Sequence, residues 1–201
     1  MVKTIKDPPG RPRKFERDTA LEQATAVFWE HGFAQTTYGA LEQATGLHRQ
    51  SLVYAFGDKK ALFQAVLQHY AATRVQVIID QLQAPGSPMA NIRAVYARWL
   101  EDARREATTG CLFVNTAGEL GSADPAFSQV IEQSTQRLDQ AFQQAIRAGQ
   151  RQGEIIADLA VADLAKQAIA VGDGGLLRSR ASGNPTFAEE VFQSFLALIE
   201  R

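Results

Sequence analysis

Residues 36–63, TTYGALEQATGLHRQSLVYAFGDKKALF, constrain this chain more than any other stretch. Two short apolar-patterned segments stand so close, with a glycine between them, that only a tight turn can join them. Thr36 and Thr37 are N-cap candidates for the first segment, which is expected to be helical to about Ala44. Gly46 can take the positive φ that the turn requires. The second helix is expected from about His48 to Phe56. Leu41 and Ala44 give the first helix an apolar inner side, and Leu47, Leu52 and Phe56 do the same for the second. The two must then pack at a fixed angle, as a helix-turn-helix unit. The outer side of the second helix carries His48, Arg49, Gln50 and Ser51, groups able to reach base edges in a DNA major groove. An αα-hairpin with no nucleic-acid role meets the same pattern, so that alternative stays open here.

The remainder is helical in period, with no sustained strand alternation. Leu21, Ala24 and Phe28 line a first helix expected to stop at Gly32. Asp58 is a plausible N-cap for a long helix with the stripe Leu62, Phe63, Val66, Leu67 and Tyr70, running to about Leu82. Ala84–Pro88 breaks the pattern, and Ser87-Pro88 reads as N-cap and N1 of a helix carrying Ile92, Val95, Tyr96, Trp99 and Leu100. Further helices are expected over about 110–120, from Asp124-Pro125 to the glycines at 149 and 153, over about 158–179, and from Asn184-Pro185 onward. The expected fold is all-α, with about nine helices in four parts. These are a flexible basic arm (1–14), a three-helix helix-turn-helix domain (15–57), a linking helix (58–84) and a larger C-terminal helical domain for ligand binding and dimerisation (85–201).

Charge supports a polyanionic partner for one end only. Lys3, Lys6, Arg11, Arg13, Lys14 and Arg17 against Asp7 and Glu16 leave residues 1–17 at +4, while the whole chain is at −1. No hydrophobic stretch follows the basic start and no apolar run has membrane-spanning length, so a cytoplasmic protein with no membrane partner is expected. Cys111 stands alone, and His31, His48 and His69 lack metal-motif spacing, so neither a metal nor a cofactor is expected. The chain also lacks a nucleophile elbow, P-loop or dinucleotide fingerprint, so an enzyme is not expected.

Residues 18–67 resemble the N-terminal domain of the TetR family of bacterial repressors. The matching marks are Phe28-Trp29-Glu30-His31-Gly32-Phe33, the Thr36-Thr37 cap, Thr45-Gly46-Leu47, Ser51-Leu52-Val53-Tyr54-Ala55-Phe56 and Asp58-Lys59-Lys60-Ala61-Leu62-Phe63. Residues 85–201 match by helical layout, and Gly110–Asn115 is similar to a stretch in one subgroup. The resemblance implies phosphate contacts from Thr37, Tyr54 and Lys59, and base-edge contacts from Arg49 and Gln50 with His48 and Ser51 beside them. For Tyr54 the competing expectation is core packing with the hydroxyl at the rim. Two positions depart from the family pattern. Glu42 stands where a small residue is usual, so its carboxylate must turn to solvent or find a partner. Ala55 stands where many relatives carry His, which removes one expected phosphate contact. Gly10-Arg11-Pro12-Arg13 resembles the core of an AT-hook, so Arg11 and Arg13 are candidates for a narrow minor groove.

The family implies a double-stranded DNA operator, a second copy of the chain and an unknown small-molecule inducer as partners. Tyr96, Trp99, Cys111, Phe113, Asn115 and Phe142 are candidates for a mostly apolar ligand pocket, each also readable as plain core. Cys111 is the one thiol and a candidate electrophile or redox sensor. One helix-turn-helix reads only a few base pairs, so a dimer on a palindrome is the expected solution. Leu176, Leu177, Phe187, Phe192, Phe195 and Leu196 are its candidate interface. A nonspecific architectural DNA-binding protein is the alternative function.

Overall fold

The computed structural model describes residues 14–105 and 110–201, with side chains from residue 17 onward. Residues 1–13 of the basic arm, with Arg11 and Arg13, lie outside the described residues. Two compact units divide between Val66 and Leu67. That division falls inside the helix expected to link the domains, because the first half of that helix is needed to close the small N-terminal core.

The first unit holds α1 (Lys14–Gln35), α2 (Tyr38–Thr45), α3 (Arg49–Phe56) and the start of α4 (Lys59–Tyr70). Helical bonding in α1 continues past Gly32 to Gln35, although Gly32 itself adopts φ 76°, ψ 177° and breaks the helix axis there. With α2 and α3 only 8 residues each, the first three helices cannot enclose a core alone. Phe63 of α4 supplies the missing wall, lying 4.8 Å from the ring of Phe28 and 5.1 Å from Phe33. Ala24, Leu41, Leu52, Leu62 and Val66 complete this core.

The second unit begins with the end of α4. The expected long helix does reach Leu82, but a π-turn over Ala71–Val75 separates α4 from α5 (Gln76–Leu82). Then come α6 (Pro88–Arg105), α7 (Leu112–Leu120), α8 (Pro125–Gln152), α9 (Val161–Ser182) and α10 (Thr186–Ile199). With α4, the π-turn and α5 counted as one continuous rod, the described residues form nine helical rods. Several ends follow from local caps. Ser87 Oγ accepts the Ala90 N–H at 3.0 Å, Asp124 Oδ1 accepts that of Ala126 at 3.1 Å, and Asn184 Oδ1 that of Thr186 at 2.9 Å. The helix expected over 158–179 sits about three residues later, with Ala160 as its N-cap. Buried Ile92, Tyr96, Phe142, Ile146, Leu164, Phe192 and Ile199 form the core of this unit, and a lone β-bridge pairs Ile155 with Glu200.

Candidate nucleic-acid interface

Thr37 begins the interface. It has extended backbone angles and its hydroxyl accepts the Ala40 N–H at 3.2 Å, making it the N-cap of α2. The neighbouring Thr36 is buried and donates to the Gly32 carbonyl at 2.6 Å. At the other end of α2, Gly46 adopts φ 66° and donates its N–H to the Glu42 carbonyl at 2.9 Å. A β-carbon is disfavoured in that conformation, which explains a glycine at the turn. Thr45 Oγ1 donates to Leu41 O and accepts from Leu47 N, tightening the same turn.

Helix α3 then packs with Leu52 and Phe56 inward and the opposite side open. Arg49, Gln50, Ser51, Val53 and Tyr54 are all exposed. Tyr54 is 78% exposed, so the core-packing reading of this residue is wrong: its ring stands away from the apolar side set by Leu52 and Phe56. Val53, 41% exposed, lies on the same face between Gln50 and Tyr54. Sequence reasoning missed it, because a valine reads as an inward residue unless the helical phase is fixed.

The departure at Glu42 resolves into a contact. Its Oε1 accepts the backbone N–H of Arg49 at 2.6 Å and lies 3.9 Å from His48 Nδ1. His48 is the N-cap residue of α3 by backbone angle yet makes no side-chain capping bond. Glu42 therefore does that work from the preceding helix. The Arg49 guanidinium lies 4.5 Å over the Tyr38 ring. At the other end of α3, Arg17 donates to the Ala55 carbonyl at 3.0 Å and covers the Phe56 ring. Lys59 donates from Nζ to the carbonyls of Thr36 (2.8 Å) and Ala34 (3.3 Å) and sits 4.7 Å over Phe33. An ammonium has three N–H groups, and two of those on Lys59 are engaged by the carbonyls of Ala34 and Thr36.

Among the C-terminal candidates, Tyr96 and Phe142 are fully buried. The Tyr96 hydroxyl donates to the Ala168 carbonyl at 2.8 Å, and its ring packs edge-on against Trp99. Phe113 meets Tyr70 edge-on at 5.1 Å, and the Tyr70 hydroxyl donates to Cys111 Sγ at 3.8 Å. The Cys111 thiol is pushed up by burial, then by the charge of Asp173, against smaller lowering from the backbone of Val114 and Phe113 and from Tyr70. That runs against a reactive thiolate. Asn115 is half-buried on α7. Of the interface candidates, Leu176, Phe192, Phe195 and Leu196 are already withdrawn into this chain's own core, so a partner has little of them left to cover. Leu177 and Phe187 are exposed, as is Leu198, which sequence reasoning passed over. Phe187 and Leu198 line a groove of about 460 Å³ between α9 and α10 that also touches Phe195, Val171 and Gly174.

A glycine turn, a capped pair of short helices and an outward polar face on the second define a helix-turn-helix DNA-binding regulator. Residues 20–66 match the family described as "Bacterial regulatory proteins, tetR family", and residues 88–195 match "Tetracyclin repressor-like, C-terminal domain". The chain belongs to the TetR family. Relatives include the uncharacterized HTH-type transcriptional regulator YezE of Bacillus subtilis, 29% identical over 73% of this chain and 76% of that protein. The HTH-type transcriptional repressor ComR of Escherichia coli is 28% identical over 75% of this chain and 73% of its own length. Among solved structures, a TetR-family regulator from Agrobacterium tumefaciens shares the fold with a TM-score of 0.85 at 18% identity, covering 94% and 99% of the two chains. A cysteine mutant of the regulator CifR, solved with 26bp double-strand operator DNA, has a TM-score of 0.77 at 26% identity, covering 93% and 98%.

Proposed function

We propose that the chain is a repressor that binds a palindromic operator as a homodimer and leaves it when a small molecule binds the C-terminal domain. The observation that carries this reading is the outer face of α3, where Arg49, Gln50, Ser51 and Tyr54 stand exposed on a helix anchored at both ends. Arginine pairs bidentately with guanine and glutamine with adenine, each worth roughly 1–3 kcal/mol of discrimination. Thr37, Tyr54 and Lys59 take phosphates and set register, His48 and Ser51 flank the bases, and Arg11 and Arg13 enter the adjacent minor groove.

A second copy fits the groove between α9 and α10. Its apolar lining and the exposed Leu177, Phe187 and Leu198 form a face that one chain leaves in water. The inducer takes the region of Tyr96, Trp99, Cys111, Phe113, Asn115 and Phe142. The linking helix α4 passes its effect toward α3, with coupling of about 1–3 kcal/mol. Binding of the full chain to a duplex selected from a random pool, against unselected duplex, tests the reading. A preference of about 10³-fold or more is expected. Equal binding would favour the architectural alternative.

A further inference from the structure

Helix α3 has no cap of its own. The first N–H groups of an α-helix have no partner within it, and the residue before the helix normally supplies an oxygen. His48 occupies that place with φ −64° and ψ 151°, but its side chain makes no capping bond. The first of these donors, the Arg49 N–H, is taken by a carboxylate seven residues back, at 2.6 Å. A carboxylate at a helix N-terminus also meets the positive end of the helix dipole, so this bond is charge-assisted.

Tyr38 and Glu42 lie four residues apart on α2 and therefore share one face of it. Tyr38 holds the Arg49 guanidinium and Glu42 holds the Arg49 backbone. The residue best suited to read guanine is thus fixed to α2 at two points before any DNA arrives. This has an electrostatic consequence. Glu42 is half-exposed next to the reading face, so its charge opposes every phosphate approaching α3.

We propose that Glu42 is a specificity-determining positioning residue, which holds the start of α3 and Arg49 in the register that reads the operator while weakening attachment to DNA in general. The proposal rests on α3 being the operator-reading helix.

The test uses the full-length protein and two duplexes, one enriched by the wild-type chain from a random pool and one unselected. Glu42→Gln keeps an oxygen acceptor and removes the charge. Glu42→Ala removes both. Operator affinity is expected to fall about tenfold for Glu42→Ala, in keeping with loss of a cap, and to stay within about threefold for Glu42→Gln. Affinity for unselected duplex should hold or rise in both, which a general folding defect would not produce. In the DNA-free protein, hydrogen exchange at the Arg49 amide should quicken in Glu42→Ala only. Tyr38→Leu, which leaves the cap in place, is expected to reduce discrimination at the base pair that Arg49 reads. The proposal is overturned if Glu42→Ala keeps operator affinity within threefold, if both duplexes weaken in parallel, or if Glu42→Gln loses as much as Glu42→Ala. A wild-type chain with no preference for any duplex would instead overturn the repressor reading beneath it.

Discussion

Three neighbouring glycines on α9 separate what sequence can and cannot say about one residue. Each costs a helix roughly 1 kcal/mol against alanine, and nothing in the sequence tells which has a reason to be there. A β-carbon at Gly172 would lie 2.4 Å from the Trp99 ring, and one at Gly175 would lie 2.5 Å from Phe192 and 3.3 Å from the Ala188 backbone. At Gly174 a β-carbon would meet nothing. Gly172→Ala and Gly175→Ala are therefore expected to destabilise the fold by about 1–3 kcal/mol in urea denaturation, because overpacking exceeds the gain in propensity. Gly174→Ala should raise helix stability by up to about 1 kcal/mol. Since Gly174 lines the groove proposed for the second copy, the same substitution should weaken dimerisation in sedimentation equilibrium. Unchanged dimerisation would place the interface elsewhere. Tyr54 behaves differently. Tyr54→Ala should leave melting unchanged, since the ring is solvent-exposed, but lower affinity for operator and unselected DNA alike if it contacts a phosphate.

At the scale of elements, boundaries were legible wherever the cap is local in sequence. Thr37, Asp58, Ser87 and Asp124 lie within three residues of the N–H groups they satisfy. The cap of α3 was not legible, because its acceptor sits on another helix and distance depends on how the two pack. The π-turn at 71–75 was hidden for a similar reason: the apolar stripe continues through it to Ile78, Ile79 and Leu82. Helix α9 also carries Asp173, whose carboxyl burial pushes up to about 6 from its ordinary 3.8. Folding thus tightens its hold on a proton, so the ionised form costs stability above pH 6. Stability from this group should rise as pH falls from about 6 toward 4. Asp173→Asn is expected to raise stability on the order of 1–2 kcal/mol at pH 7.5, with the gain vanishing near pH 4. A gain independent of pH would contradict the burial argument. At the N-cap position of α7, the raised Cys111 thiol should react slowly with iodoacetamide at pH 7.5, and Cys111→Ser should keep the response to the natural inducer.

At the scale of the whole molecule, the division into a small N-terminal unit and a larger helical body followed from periodicity and turn chemistry, whereas the surface proposed to join two copies did not. Apolar residues on α9 and α10 read alike in sequence, yet Phe192 and Leu196 close this chain's own core while Phe187 and Leu198 remain outside. Only packing sorts them. The residues proposed to face DNA were easier to place, since the exposed side of α3 opposite Leu52 and Phe56 follows from helical phase. The measurement that bears most directly on the central claim is a footprint of the full-length chain on its selected duplex, compared between wild type and Gln50→Ala. Two symmetric protected half-sites about one helical turn apart are predicted for the wild type, with both weakened together on substitution. A single asymmetric protected segment, or a footprint indifferent to Gln50, would contradict a dimer that reads its operator through α3.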